Sequence, residues 1–176
     1  MGLVAIPDPS VVVLVGAAGA GKSSFAARHF DPTEVLSSDG YRALIAGDET
    51  DQRATRAAFA QLHRDLTRRL GEGRLTVVDA TNVEPAARRA LLVRSGTAGV
   101  PAIAIVLDLP AAVVLARNAG RAGRVVDEQV VRHHLARMRS TLDGSADGLR
   151  GEGFAQVVVI RDPLELETMN VVRLRP

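Results

Sequence analysis

The sequence has no cysteine and no tryptophan, and it has only one tyrosine and four phenylalanines among 176 residues. Without cysteine the chain can form neither a disulfide nor a thiolate metal site. The four histidines also lack the spacing of zinc ligands (His29, His63, His133 and His134). The scarcity of aromatic side chains argues against extensive stacking on nucleic-acid bases. Disulfide-stapled domains and zinc-finger domains are therefore excluded.

Long hydrophobic runs and targeting segments are also missing. No run approaches the roughly 18 apolar residues that a membrane-spanning helix requires, and no basic segment precedes an apolar one at the N-terminus. We therefore expect a cytoplasmic protein that does not attach to a membrane. The formal charge of +2 is too small to indicate a nucleic-acid-binding surface by itself. The 47% hydrophobic content suits one core, and we predict a single domain over residues 1–176.

Short β-branched runs alternate with longer segments of helical period along the chain. This alternation predicts an α/β fold in which helices cover both faces of a parallel sheet. The predicted strands span residues 10–16, 34–39, 75–82, 102–110 and 155–160. The predicted helices include residues 22–30, 41–45, 53–70, 111–120 and 127–139, and another begins near Pro85. Residues 140–153 are predicted to form a surface connection, and residues 164–175 either a helix or an extended segment.

A phosphate-binding motif follows the first predicted strand. Residues 16–23 match G-x-x-x-x-G-K-[ST], and the following segment has a helical pattern, which is the context that this motif requires. Main-chain N–H groups in such a loop surround an anion at a helix N-terminus. The predicted nucleotide-binding residues are Gly16, Ala17, Ala18, Gly19, Ala20, Gly21, Lys22, Ser23 and Ser24.

Lys22 is the only lysine in a chain with 22 lysine and arginine residues together. We predict that its compact ammonium lies on the β- and γ-phosphates, because the planar fork of arginine does not fit so tight a loop. The hydroxyl of Ser23 is the predicted ligand for Mg²⁺, a cation that prefers oxygen ligands. This motif predicts ATP, or another nucleoside triphosphate, and Mg²⁺ as cofactors.

Asp39 lies at the end of the second predicted strand, so its carboxylate is expected at the same sheet edge as the phosphate-binding loop. There it could accept the proton of an attacking hydroxyl. Arg42, three residues later, could orient Asp39 or hold an anionic acceptor. The pattern is equally consistent with Asp39 capping a helix that begins near Tyr41.

Three arginines, Arg117, Arg121 and Arg124, follow one another around two glycines. Like charges at this spacing repel one another on an isolated helix, so the pattern favours an anion that neutralises them. We predict a mobile lid that closes over the nucleotide and stabilises charge on the transferring phosphoryl group. The alternative is a solvated basic helix end.

Asp79 ends the third predicted strand, where a carboxylate commonly holds the metal through a water molecule. The metal-site prediction is therefore Ser23 together with Asp79. Asn82, a few residues later, fits equally well as an N-cap of the next helix.

Several stretches together resemble the kinase module of the bacterial polynucleotide kinase-phosphatase family. They are "GAAGAGKSSFAARHF", "PTEVLSSDGYRAL", "GDETDQ", "LTVVDATNVEPAAR", "RNAGRAGR" and "RGEGF". In that RNA-repair family, kinase, phosphatase and adenylyltransferase modules share one chain. The resemblance implies a P-loop kinase fold, with phosphatase and ligase-like modules in the parent protein.

By the same resemblance, Lys22 and Ser23 contact ATP and metal, and Asp39 is the general base for a 5'-hydroxyl. Arg42 contacts the acceptor, and Arg117 and Arg121 contact the phosphates from the lid. The expected activity is ATP-dependent phosphorylation of the 5'-hydroxyl of RNA or DNA in nucleic-acid end healing and repair. Two alternatives stay open: a P-loop kinase of a small metabolite or nucleotide sugar, and a nucleotide-dependent binding module.

Overall fold

The computed structural model describes residues 2–45, 52–122, 125–142 and 146–175, without the side chains of 52–54. The strands are β1 (Leu3–Pro7), β2 (Val11–Val15), β3 (Val35–Ser37), β4 (Thr76–Asp79), β5 (Ala102–Leu107), β6 (Gln156–Ile160) and β7 (Asn170–Leu174). The helices are α1 (Lys22–His29), α2 (Ser38–Ile45), α3 (Gln52–Gly71), α4 (Pro85–Ala98), α5 (Ala111–Ala119), α6 (Glu128–Leu142), α7 (Asp147–Glu152) and α8 (Pro163–Thr168). None of the described helices is long and apolar enough to cross a bilayer.

A five-stranded parallel sheet in the order β3-β4-β2-β5-β6 forms the centre of the fold. All residues of β2, β4 and β5 are buried, as is typical of parallel strands covered on both faces. One apolar cluster lies on each face of the sheet: Phe25 and Leu135 belong to the first, and Leu62 and Leu91 to the second. The predicted α/β class and five-stranded sheet are confirmed.

The sheet order determines which loops meet at the functional edge. Because all five strands are parallel, the segments after their carboxyl ends lie along one edge. The phosphate-binding motif follows the central strand β2, with β4 on one side of it and β5 on the other. Strand β3 is next to β4, so the start of α2 lies at this same edge.

The second predicted strand is shorter than expected, and Asp39 does not belong to it. Strand β3 ends at Ser37, and α2 begins at Ser38, so Asp39 lies in the first turn of the helix. The hydroxyl of Ser37 accepts a hydrogen bond from the N–H of Gly40, at 3.3 Å, which satisfies a free donor at the start of the helix. The alternative of a helix that begins near Tyr41 and is capped by Asp39 is therefore wrong as well.

Two other segments differ from the sequence-based expectation. Residues 140–153 are not a simple connection, because α6 continues to Leu142 and α7 lies within the span. Residues 164–175 contain both alternatives, since α8 is followed by β7. Strand β7 pairs in parallel with β1, a strand that the sequence did not predict, in a separate two-stranded sheet.

Candidate active site

The phosphate-binding loop has the backbone that its glycines permit. Gly19 and Gly21 have φ values of 86° and 98°, in the left-handed region that glycine adopts readily. A Cβ atom at Gly19 would lie 2.6 Å from the carbonyl oxygen of Val114, so no side chain fits there. Gly21 is the N-cap of α1, which places the loop at the N-terminus of that helix. The arrangement is the one that binds phosphate through main-chain N–H groups.

Lys22 is buried at the centre of this loop. Its ammonium donates hydrogen bonds to the carbonyl oxygens of Gly16 (2.9 Å) and Ala17 (2.8 Å). Burial lowers the pKa of Lys22 to about 8, with the carboxylates of Asp79 and Asp39 opposing the shift and the charge of Arg121 adding to it. The ammonium therefore lies within electrostatic range of three other predicted site residues.

Ser23 and Asp79 are in direct contact. The Ser23 hydroxyl donates a 2.7 Å hydrogen bond to Oδ2 of Asp79, at the end of β4. A hydroxyl and a carboxylate are hard oxygen donors of the kind that Mg²⁺ uses, and Mg²⁺ retains several waters rather than requiring a protein cage. Within the described parts of the chain no group of three or more His, Cys, Asp or Glu residues could hold a metal ion. The donor set fits a metal bound mainly by nucleotide phosphates and water.

Asp39 and Arg42 form an ion pair on the exposed side of α2. The side chain of Asp39 is 64% exposed, whereas that of Arg42 is 22% exposed and also contacts the Ser38 hydroxyl. The hydroxyl of the neighbouring Tyr41 donates a hydrogen bond to Asp65 on α3, at 2.6 Å. Burial and this carboxylate raise the pKa of Tyr41 to about 12. The Asp39 carboxylate is thus open to solvent at the functional edge.

Arg117 lies over the phosphate-binding loop. A Cβ atom at Gly21 would lie 3.6 Å from a guanidinium nitrogen of Arg117. That guanidinium is 3.8 Å from the carboxylate of Glu167 in α8. Arg121 is exposed, and its charge reaches Lys22. Arg124 lies outside the described residues.

Asn118 joins the two ends of the predicted lid segment through its side chain. Its side chain is buried in α5 and exchanges two hydrogen bonds with the main chain of Val126, at 2.7 and 3.2 Å. The two ends of the 119–126 segment are therefore joined, and Arg121 lies between them.

The sequence analysis missed His134, which lies near the site, and the contact between Glu84 and α6. His134 on α6 has a pKa lowered first by burial and then by the charge of Lys22, so it lies near the phosphate-binding loop. Glu84, just before α4, accepts two hydrogen bonds from the Arg137 guanidinium and lies 3.5 Å from the His133 imidazole. Arg137 and His133 both belong to α6. No local sequence signal marks these residues, because their proximity depends on how α6 packs across the sheet edge.

Asn82 does not cap α4. The N-cap of that helix is Glu84, and its side chain makes no capping hydrogen bond. The side-chain amide of Asn82 instead donates to the carbonyl oxygen of Leu14, at 2.8 Å, at the end of the central strand. The capping interpretation of Asn82 is therefore wrong.

Residues 11–144 match the AAA domain family AAA_33. The chain belongs to this family. The matched segment contains the phosphate-binding loop, Asp39, Asp79 and the arginine segment. Family membership supports nucleotide binding by a P-loop domain of the kinase type. Among curated proteins, none matches this chain.

Solved structures share the fold at low sequence identity. A chain in the Pnkp1/Rnl/Hen1 RNA repair complex is similar, with a TM-score of 0.67 and 19% identity over 79% of this chain. This chain spans only 47% of that relative. A sugar kinase from Janibacter sp. HTCC2649 is also similar (TM-score 0.60, 18% identity), with 90% of each chain covered. The Mycobacterium tuberculosis APS kinase CysC has a TM-score of 0.50 and 21% identity, over 65% of this chain and 71% of that one. These likenesses confirm the P-loop kinase fold.

Proposed function

We propose that this chain is an ATP-dependent 5'-hydroxyl polynucleotide kinase that transfers the γ-phosphate to the 5' end of RNA or DNA. The observation that carries the proposal is the position of the Asp39 carboxylate. It is exposed, it is paired with Arg42, and its charge reaches the Lys22 ammonium in the phosphate-binding loop. A candidate base that is exposed to solvent and a phosphate-binding cation therefore lie within electrostatic range of each other.

The proposed step is an in-line phosphoryl transfer. The hydroxyl of the acceptor gives its proton to Asp39, its oxygen forms a bond to the γ-phosphorus, and the bond to the β–γ bridging oxygen breaks to leave ADP. Lys22 holds the phosphates, and Arg117 and Arg121 stabilise charge that grows on the transferring group. Bound Mg²⁺ would neutralise phosphate charge, and Ser23 and Asp79 are the residues that would hold it.

Two lines of support point to a strand end as the acceptor. Most of the stretches that resemble the polynucleotide kinase-phosphatase family fall on site residues, including Asp39 and Arg42 in "EVLSSDGYR". Of "GDETDQ", residues 47–51 lie outside the described residues. The exposed Asp39 also suits an acceptor that continues into solvent. By the same likeness we propose that the chain works with phosphatase and ligase-like modules in nucleic-acid end healing.

A small-molecule kinase is the second candidate. The observation in its favour is the length of the similar structures. The chain covers 90% of the sugar kinase chain but only 47% of the chain in the Pnkp1/Rnl/Hen1 complex. The catalytic chemistry at Asp39 is the same for either acceptor, so the two candidates differ only in what occupies the open side of the site.

The test is a side-by-side transfer assay. The chain is incubated with γ-labelled ATP, Mg²⁺ and either a 5'-hydroxyl RNA or DNA oligonucleotide or a panel of sugars, nucleotide sugars and adenylyl sulfate. Label on the oligonucleotide, and none on the same oligonucleotide with a 5'-phosphate, supports the proposal. Label only on a small molecule supports the second candidate and overturns the first. ATP binding with no transfer to any acceptor supports a nucleotide-dependent binding module.

A further inference from the structure

We propose that Asn82 is a positioning residue of the phosphate-binding site. Through one side-chain hydrogen bond Asn82 fixes the turn that follows Asp79 against the end of the central strand. Arg88, which is itself bound by Glu152, holds the same turn through main-chain carbonyl groups. This inference rests on the nucleotide-binding part of the proposed function and does not depend on the identity of the acceptor.

The backbone of Asn82 is unusual. Its φ of 49° is in the left-handed region, and within the described chain no other residue except glycine has a positive φ. Asparagine tolerates this conformation better than most residues, but a non-glycine residue keeps it only where its surroundings hold it. The side chain is buried, and its amide donates to the carbonyl oxygen of Leu14. The conformation therefore directs the amide group to the strand that leads into the phosphate-binding loop.

Two hydrogen bonds join the turn at residues 80–83 to the start of that loop. One is the Asn82 amide to Leu14, at 2.8 Å, and the other runs from the N–H of Gly16 to the carbonyl oxygen of Thr81, at 2.9 Å. Asp79 comes immediately before this turn and accepts the hydrogen bond from Ser23. The turn therefore constrains Asp79 from its C-terminal side, in addition to the pairing of β4 with β2 and β3.

Arg88 holds the same turn from the opposite side. Its side chain is 0% exposed, and one guanidinium nitrogen donates to the carbonyl oxygens of Asn82 (2.9 Å) and Val83 (2.8 Å). The rest of the guanidinium forks onto the Glu152 carboxylate at 2.7 and 2.6 Å. A buried guanidinium that lost these partners would be strongly unfavourable. The hydrogen bonds from Arg88 therefore keep the carbonyl groups of Asn82 and Val83 in place. A continuous set of hydrogen bonds thus connects α7 to the phosphate-binding loop.

The position of this turn should affect Mg²⁺ binding more than the binding of metal-free nucleotide. Main-chain N–H groups and Lys22 hold phosphate without help from Asp79, whereas the proposed Mg²⁺ site needs Ser23 and Asp79 at a fixed separation. Groups that orient metal ligands usually affect metal affinity or activity by about 10- to 100-fold. A residue that acts only on stability has no such selective effect.

The experiment compares three variants of the whole chain. Asn82→Gly keeps the left-handed backbone without strain and removes the whole side chain, including the amide that bonds Leu14. Glu152→Gln keeps the shape but weakens the support of Arg88, and it serves if Asn82→Gly does not fold. Ser95→Ala is the matched control, because it removes a buried side-chain bond to a carbonyl oxygen, that of Val100, away from the site.

Binding of a fluorescent ATP analogue is titrated with and without Mg²⁺, with no acceptor present. For Asn82→Gly we expect the Mg²⁺ concentration at half-effect to rise about tenfold or more, while metal-free ATP affinity stays within about twofold of wild type. Glu152→Gln should change in the same direction by less, and Ser95→Ala should not change.

Wild-type Mg²⁺ dependence in Asn82→Gly, with only a lower unfolding temperature, would overturn the positioning role. An equal change in Ser95→Ala would overturn it too. A wild-type chain that binds Mg²⁺-ATP but labels no oligonucleotide contradicts the polynucleotide proposal alone, and the Asn82 test still applies.

Discussion

The guanidinium of Arg117 lies 3.8 Å from the carboxylate of Glu167 and so joins α5 to α8 beside the phosphate-binding loop. The side chain of Arg28 in α1 donates to the carbonyl oxygens of Leu166 and Glu167, which keeps the end of α8 next to the loop. The ion pair between Arg117 and Glu167 is partly exposed, so it contributes at most about 1 kcal/mol to the free energy of unfolding. A bound triphosphate can therefore draw Arg117 away from Glu167 at little cost.

Replacing the lid arginines should reduce turnover more than ATP binding. Arg117→Ala and Arg121→Ala each remove a charge that we propose meets the transferring phosphoryl group, so we expect kcat to fall about 10²-fold and ATP affinity to fall much less. Steady-state kinetics beside equilibrium ATP binding measure the two effects. Arg74→Ala, on the opposite edge of the sheet, is the control for loss of positive charge. Normal turnover in both lid variants, with only ATP affinity reduced, would remove the lid role.

Lys22→Ala should abolish phosphoryl transfer. The chain has no second lysine, and the Lys22 ammonium is buried within the loop that it serves. We expect a loss of at least about 10²-fold, the effect of removing one preorganised charge from an active site. Transfer of γ-labelled phosphate and a thermal unfolding curve check activity and folding together. Activity within a few fold of wild type contradicts the phosphate-loop mechanism.

ATP affinity should depend on pH through Lys22. With a pKa of about 8 the free protein loses this proton well below the ordinary value of 10.5, so binding above pH 8 must take up a proton. Affinity should then fall by up to about tenfold per pH unit above 8. Calorimetry at pH 9 in two buffers of different ionisation enthalpy measures the uptake directly. The Lys22→Ala variant is the control, and equal proton uptake in both proteins would contradict the assignment.

The same shift has an opposite consequence for the free protein. Between pH 8 and 10.5 the unfolded chain keeps the Lys22 proton while the folded chain has lost it. The contribution of Lys22 to the free energy of unfolding therefore increases as pH rises through this range. Between pH 8 and 10.5, ATP affinity should therefore fall while the contribution of Lys22 to the free energy of unfolding rises.

Asp39→Asn should separate catalysis from nucleotide binding. The change keeps the size of the side chain and removes the proposed base, so we expect transfer to a 5'-hydroxyl to fall by about 10²-fold or more. ATP affinity and folding should change little, because the Asp39 side chain is 64% exposed. Glu72→Gln, which removes another exposed carboxylate in an ion pair with Arg68, is the matched control. Near wild-type transfer by a folded Asp39→Asn variant eliminates the general-base role.

The parts of the site that could be predicted from sequence are those set by contiguous residues or by strand ends. The loop around Lys22 is one local motif, and Asp79 and Ser23 meet because parallel strands bring their carboxyl ends to one edge. The support of the site could not be predicted in this way. Asn82, Arg88 and Glu152 are connected only through side-chain hydrogen bonds between segments that lie far apart in the sequence. Strand β1 was missed because it is short and ends at a proline, and its pairing partner lies at the other end of the sequence.

The boundary of the family match is not the boundary of a stable fold. The match covers residues 11–144, which leaves out β1, α7, β6, α8 and β7. Yet Ile6, Ile160 and Leu166 belong to the same buried cluster as Phe25 in α1. A fragment cut at the edges of the match would also expose the whole edge of β5, which pairs with β6 along its length. An open edge of this kind invites pairing between molecules. We expect such a fragment to aggregate, and the segments outside the match to be required for the solubility of the domain.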